Sequence, residues 1–198
     1  MGEALYTGKT AVITGSTQGL GEAIARKLTA EKASGITISG RNSERGEALA
    51  EELTQQGTPT IFVRAELENP DECTNLVSQS YNHFGRLDGL VNSAAITTRG
   101  TLEDTTVKLW DQHMAINVRA PFLTMQEAVK IMQKQGWGGS IVNIITKSAH
   151  GGQPFLTPYS TSKGALATLT KNAAYSQRWH KIRINGIMLG WMDTPAED

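Results

Sequence analysis

Short apolar runs alternate with helix-like patterns along the whole chain, and no other feature limits the possible folds as strongly. The apolar runs fall at 9–14, 35–39, 59–64, 87–91, 139–145 and 182–188. Between them, apolar residues return at helical spacing over about 19–33, 43–56, 70–84, 105–135 and 157–179. Strands that alternate with helices pack best as a parallel sheet covered on both faces. Asn69-Pro70-Asp71 and Ser43 read as helix starts, and Gly35 and Gly57 as helix stops. No repeat, low-complexity tract or linker interrupts the pattern. Residues 1–198 therefore read as one doubly wound α/β domain of three layers, long enough to bury a substantial core.

Composition removes several functions. Nineteen basic and nineteen acidic residues cancel, so no global field draws nucleic acid or an anionic membrane. No apolar run approaches the ~18 residues that span a bilayer. The N-terminus, Met1-Gly2-Glu3-Ala4-Leu5-Tyr6, has neither the basic start nor the apolar centre of a secretory signal. A single cysteine, Cys73, excludes an internal disulfide and a thiolate metal cluster. It shares helical spacing with Leu76 and Val77, which predicts a buried free thiol. No metal site is expected, and the location expected is the cytoplasm.

In such sheets ligands bind at the carboxyl ends of the strands, so those ends locate the candidate site. The first strand ends in Thr14-Gly15-Ser16-Thr17-Gln18-Gly19-Leu20-Gly21 and runs straight into a helix. Glycines permit a sharp turn and a close phosphate, and the helix start offers unpaired N–H groups. Gly15, Thr17, Gly19, Leu20 and Gly21 are the candidate contacts. The second strand ends Ser39-Gly40-Arg41-Asn42. A carboxylate there would bind the ribose hydroxyls of NAD, whereas Gly40 leaves room and Arg41 can pair a 2′-phosphate. That favours NADP. After the third strand, Glu66 beside Leu67 could accept from an adenine amino group, although a helix start explains Glu66 nearly as well. After the fourth strand come Asn92, Ser93, Ala94 and Ala95, small enough to admit a flat ring or simply to make a tight loop.

The later segments carry candidates for the chemistry. Thr146 and Ser148 follow the fifth strand, where hydroxyls could polarise a carbonyl or cap a loop. Tyr159 and Lys163, at i and i+4 where a helix opens, share one helical face. An ammonium beside a phenol favours phenolate and lowers a pKa that starts near ~10, which suits general acid/base work near neutral pH. Asn117 stands among Ile116 and Val118, so its amide is either a structural bridge or part of a polar relay. His150 follows the two hydroxyls and is a substrate candidate. His83, His113 and His180 have no ligand spacing and read as helix or surface residues.

Gly15-x-x-x-Gly19-x-Gly21, Asn117 and Tyr159-x-x-x-Lys163 together resemble the short-chain dehydrogenase/reductase family, from about residue 8 to the end of the chain. The resemblance implies a Rossmann-type sheet, an NAD(P) cofactor and hydride transfer between nicotinamide and a carbonyl or alcohol carbon. It implies that Tyr159 exchanges a proton with the substrate oxygen, that Lys163 holds the nicotinamide ribose and depresses the Tyr159 pKa, and that Asn117 supports a water-mediated relay to Lys163. The family's catalytic serine lies thirteen residues before the tyrosine, a place held here by Thr146 (159 − 13), with Ser148 as a nearby substitute. Other departures are Asn92-Ser93-Ala94-Ala95 for Asn-Asn-Ala-Gly, Glu66 for an aspartate, and Leu189-Gly190 for Pro-Gly. Thr194 follows at the distance where family members contact the nicotinamide carboxamide or a phosphate. Trp191 and Met192 fall where the substrate loop begins.

The function expected is an NADP-dependent oxidoreductase of a sugar, polyol or keto compound. A reductase of carrier-bound 3-ketoacyl chains is an alternative, although no clear basic patch awaits an acidic carrier. The Tyr-Lys interval is too short for the enoyl reductases. A cofactor-binding sensor or scaffold without turnover is the reading from another class. The resemblance also implies a homodimer or homotetramer packed through the helices at 105–135 and 157–179. Family members continue through a substrate-covering helix pair and a final strand, so a missing sheet edge and lid are expected here.

Overall fold

A computed structural model describes residues 4–191. Six strands form one sheet: β1 (Thr10–Thr14), β2 (Gly35–Gly40), β3 (Thr60–Arg64), β4 (Gly89–Asn92), β5 (Gly139–Thr146) and β6 (Ile182–Leu189). Their order is β3-β2-β1-β4-β5-β6, and every pairing is parallel. The connection reverses direction between β1 and β4, which opens a crevice at their carboxyl ends.

Helices α1 (Gly19–Ala30) and α2 (Ser43–Gln55) cover one face. There Ile13, Ile36, Ile38, Ala25, Leu49 and Leu53 form a buried cluster. On the opposite face lie α3 (Pro70–Phe84), α5 (Ala120–Gln135) and α7 (Thr157–Gln177). Val12, Leu76, Leu90, Met132, Ile141 and Ile182 pack together beneath them. Strand β1 is buried at all five positions, as expected for the centre of a doubly covered sheet. At the β6 edge only Ile182 and Ile184 are buried, and Arg183, Asn185, Ile187 and Met188 are exposed.

The element boundaries follow local chemistry. The Asn69 side chain caps α3 by accepting from the Asp71 N–H, and Pro70 opens the helix. The cap of α2 is Asn42, one residue before the expected start at Ser43, and it accepts from the Arg45 N–H. Gly57 follows α2 with φ +97°, a true stop. Gly35 is not one: α1 ends earlier, Lys32 takes the left-handed turn (φ 61°), and Gly35 is already the first residue of β2.

The helix expected over 105–135 runs unbroken from Val107 to Gln135, but not with α geometry throughout. Thr106 caps α4 (Val107–Met114), a π-turn spans Ala115–Arg119, and α5 follows. Pro121 supplies the reason. It has no N–H to give the Asn117 carbonyl, which a continuous α-helix would have bonded at i+4. The Ala120 N–H reaches Ala115 instead, the wider π spacing.

Candidate active site

The glycine turn joins β1 to α1 with little room to spare. Gly15 has φ +62°, and a Cβ there would lie 2.6 Å from Ala94 Cα. A Cβ on Gly21 would lie 2.2 Å from the Gly15 carbonyl oxygen. Ser16, which the sequence reading passed over, is fully buried and ties the turn to β2: its N–H donates to Ser39 O, and its hydroxyl donates to Ile13 O and accepts from the Ser39 N–H. Thr14 Oγ1 accepts from the N–H groups of Ser93 and Ala94, both at 3.1 Å, and so joins the turn to the loop after β4. Gln18, the N-cap of α1, makes no side-chain capping bond. The open helix start beside a backbone cradle that any Cβ would fill fits the phosphates of a dinucleotide.

Arg41, beyond β2, is exposed, and among the described residues it has no acidic partner. Arg45 also belongs to this corner, because its guanidinium hydrogen-bonds Gln18 Oε1 in the glycine turn. Nothing in the sequence marked Arg45, since only the fold brings the first turn of α2 to the glycine turn. Glu66 is paired with Arg64 at 2.7 Å, and its N–H donates to Glu72. Leu67 O receives the Cys73 thiol. That thiol is buried, which pushes its pKa up to about 11.

Asn92 and Asn143 form a polar seam through the core. Asn92 Nδ2 donates to Asn143 Oδ1 at 2.9 Å, Thr124 donates to Asn92 Oδ1, and Asn143 donates to Thr170. Each buried amide is thereby satisfied, and the Asn92 side chain is committed below the crevice. Only its backbone is left to meet a ligand.

Strand β5 and helix α7 carry the candidates for the chemistry. Thr146 ends β5, with its Oγ1 3.2 Å from Ser148 Oγ. Both line one cleft of about 660 Å³ together with Tyr159. Lys163 is 1% exposed and lies behind Tyr159, its Nζ donating to Ile144 O at 2.7 Å and standing 6.0 Å from the centroid of the Tyr159 ring. Burial alone pulls its pKa from 10.5 down to about 8. Asn117, fully buried in the π-turn, is a bridge: it accepts from the Ile96 N–H and donates to Ile96 O and Ser162 Oγ. Ser162 in turn donates to Tyr159 O. The Asn117 amide therefore holds the loop after β4 against the helix that carries Tyr159.

Trp191 lines the same cleft and is 68% exposed. His150 lies exposed on the short helix α6 (Ser148–Gly151) and is not among the cleft-lining residues. Thr194 and Met192 lie outside the described residues. His113 is fully buried in α4, its Nδ1 2.9 Å from Leu109 O, whereas His83 and His180 are exposed. Among the described residues no group of three or more His, Cys, Asp and Glu is placed to hold a metal, and no helix is long and apolar enough to cross a membrane.

A Rossmann-type sheet with a glycine turn after its first strand and a tyrosine-lysine pair at its carboxyl edge is the arrangement of a nucleotide-dependent oxidoreductase. The family model for short chain dehydrogenases matches residues 9–198. The chain is 32% identical over 194 residues to the NADP-dependent (R)-specific alcohol dehydrogenase of Lentilactobacillus kefiri, covering 96% of this chain and 76% of that one. It is 35% identical over 191 residues to the D-beta-hydroxybutyrate dehydrogenase of Rhizobium meliloti, covering 94% and 72%. A crystal structure of a dehydrogenase/reductase from Sinorhizobium meliloti superposes with a TM-score of 0.91 at 35% identity, over 98% of this chain and 76% of that one. The chain belongs to the short-chain dehydrogenase/reductase family, NAD(P)-dependent oxidoreductases that act on CH–OH groups, and it spans about three quarters of the length of these relatives.

Proposed function

We propose that the protein is an NADP(H)-dependent oxidoreductase that interconverts the alcohol and carbonyl forms of a small molecule, with Tyr159 as the proton donor and acceptor. One observation carries the reading: Tyr159, Thr146 and Ser148 line a single cleft, with the Lys163 ammonium buried behind the phenol. Thr146 donates a hydrogen bond to the substrate oxygen, and Ser148, in contact with it, supports or shares that bond. Tyr159 delivers a proton to the same oxygen during reduction and takes it back during oxidation. Lys163 stabilises the phenolate left on Tyr159. Its own lowered pKa keeps it able to pass a proton onward near neutral pH. Asn117 serves that relay through its backbone carbonyl, which Pro121 leaves without an α-helical donor.

The bound nicotinamide supplies the hydride donor or acceptor. Gly15, Thr17, Gly19, Leu20 and Gly21 would hold its phosphates, Glu66 with Leu67 and the Asn92 backbone would flank the adenosine half, and Lys163 would hold the nicotinamide ribose. Arg41, aided by Arg45, favours the 2′-phosphate of NADP over the bare hydroxyl of NAD. Trp191 would cover the substrate, a sugar, polyol or keto compound. The exposed Trp110, Phe122 and Tyr175, on α4, α5 and α7, support a homodimer or homotetramer built through those helices. A single buried cysteine suits a cytoplasmic setting.

The test is hydride transfer measured on a panel of ketones and secondary alcohols, with wild type beside Tyr159→Phe. The phenylalanine variant should lose turnover by about a hundredfold or more, in the range of general acid/base catalysis, while its affinity for NADPH stays within about threefold. Equal rates for the two proteins would remove Tyr159 from the mechanism. Nucleotide binding by both proteins without turnover of any compound would favour the sensor reading.

A further inference from the structure

Among the described residues, the cleft beside Tyr159 is charged in one sense only. Arg99, from the loop after β4, and Lys147, the first residue beyond β5, both line it, and among the described residues no aspartate or glutamate does. Neither cation belongs to the six ion pairs formed among the described residues. The Arg99 guanidinium lies instead over the Phe155 ring, 5.3 Å from its centroid. That contact fixes the direction of the fork and leaves its N–H edge available. Thr97, Thr98 and Gln153 add uncharged polar groups to the same wall. Two like charges facing one cleft repel each other at some cost, and an anion between them removes that cost.

We propose that the substrate carries an anionic group, a carboxylate or a phosphate monoester, held by Arg99 and Lys147 while its carbonyl or alcohol carbon faces Tyr159. The inference rests on the cleft being the hydride-transfer site. A planar anion accepts two bonds from the Arg99 fork, and Lys147 adds a mobile point charge. Because Lys147 directly follows Thr146 at the end of β5, the anion and the reacting oxygen are read by consecutive residues.

The experiment compares matched probes under NADPH: 2- and 3-keto acids against their methyl esters, and dihydroxyacetone phosphate against dihydroxyacetone. Wild type, Arg99→Gln, Lys147→Gln and the double variant are measured at low and high ionic strength. The charged member of at least one kind of pair should have the higher kcat/KM by about tenfold or more, as charge-assisted hydrogen bonds provide. That ratio should shrink with added salt and collapse toward one in the double variant. A preference confined to the keto acids assigns a carboxylate, and one confined to the phosphate pair assigns a phosphate. Neutral members used as well as charged ones in every pair, or a ratio that survives the double variant, would overturn the inference and leave the hydride-transfer reading standing. Absence of turnover of every probe would overturn both.

Discussion

Lys163 is the residue at which burial, charge and chemistry meet. With its pKa at about 8 in the folded protein and 10.5 as the ordinary value, the unfolded chain keeps a proton that the native state has shed between those limits. Stability contributed by this group therefore rises with pH from about 8 to 10.5, by at most about 1.4 kcal/mol per pH unit. Cys73 acts in the opposite sense. Its thiol is raised from 9.0 to about 11, so the unfolded chain ionises first and stability falls above pH 9. The interval from pH 8 to 9 belongs to Lys163. Urea unfolding of the nucleotide-free protein should show stability climbing through that interval, and Lys163→Met should flatten the climb; the same slope in both proteins would mean that the lysine does not titrate there. The i, i+4 placement of Tyr159 and Lys163 was legible in the sequence. The complete burial of Lys163 was not, because it depends on Ile144 O, a carbonyl on a different element. Asn117 illustrates the same limit: its type announced a need for partners, but Ile96 and Ser162 are neighbours only in three dimensions.

Among the elements, the turn from β1 to α1 leaves the least freedom. At Gly21 a methyl group would meet the Gly15 carbonyl oxygen at 2.2 Å and Ser16 Cα at 2.8 Å, both of them backbone. Gly21→Ala should therefore cost about 1–3 kcal/mol in chemical denaturation, the usual penalty of overpacking. It should also weaken nucleotide binding by about tenfold or more, since the displaced atoms line the proposed phosphate cradle. Retention of both properties would show that the turn is looser than it stands here. The strand ends were legible because each apolar run gives way within two residues to a glycine or to a small, polar or charged residue. The π-turn between α4 and α5 was foreshadowed only by Pro121, and apolar periodicity ran across it undisturbed. Gly35 misled for a related reason: a glycine after a helix signals a stop, yet here its lack of a side chain admits the Phe84 ring against β2.

At the scale of the whole molecule, the winding order puts the glycine turn, the ends of β2 and β4 and the tyrosine cleft along one edge of the sheet. Alternation of strand and helix was sufficient to foresee this, since parallel strands all present their carboxyl ends on the same side. Partner surfaces are less legible, because exposed aromatic residues on a helix do not stand out from core residues in a sequence. If α5 and α7 pack against a second copy, Phe122→Glu combined with Tyr175→Glu should shift the sedimentation coefficient toward that of a monomer. An unchanged coefficient would place the interface elsewhere.

The central claim is that this edge holds NADP(H), and calorimetric titration with NADPH and NADH tests it without any need to know the substrate. Wild type should bind NADPH at least about tenfold more tightly than NADH, the scale of one charge-assisted pair, and Arg41→Asp should reverse the preference. Equal affinity in wild type, or a preference that survives Arg41→Asp, would contradict the assignment of the 2′-phosphate to Arg41. Failure to bind either nucleotide would contradict the account of the site as a whole.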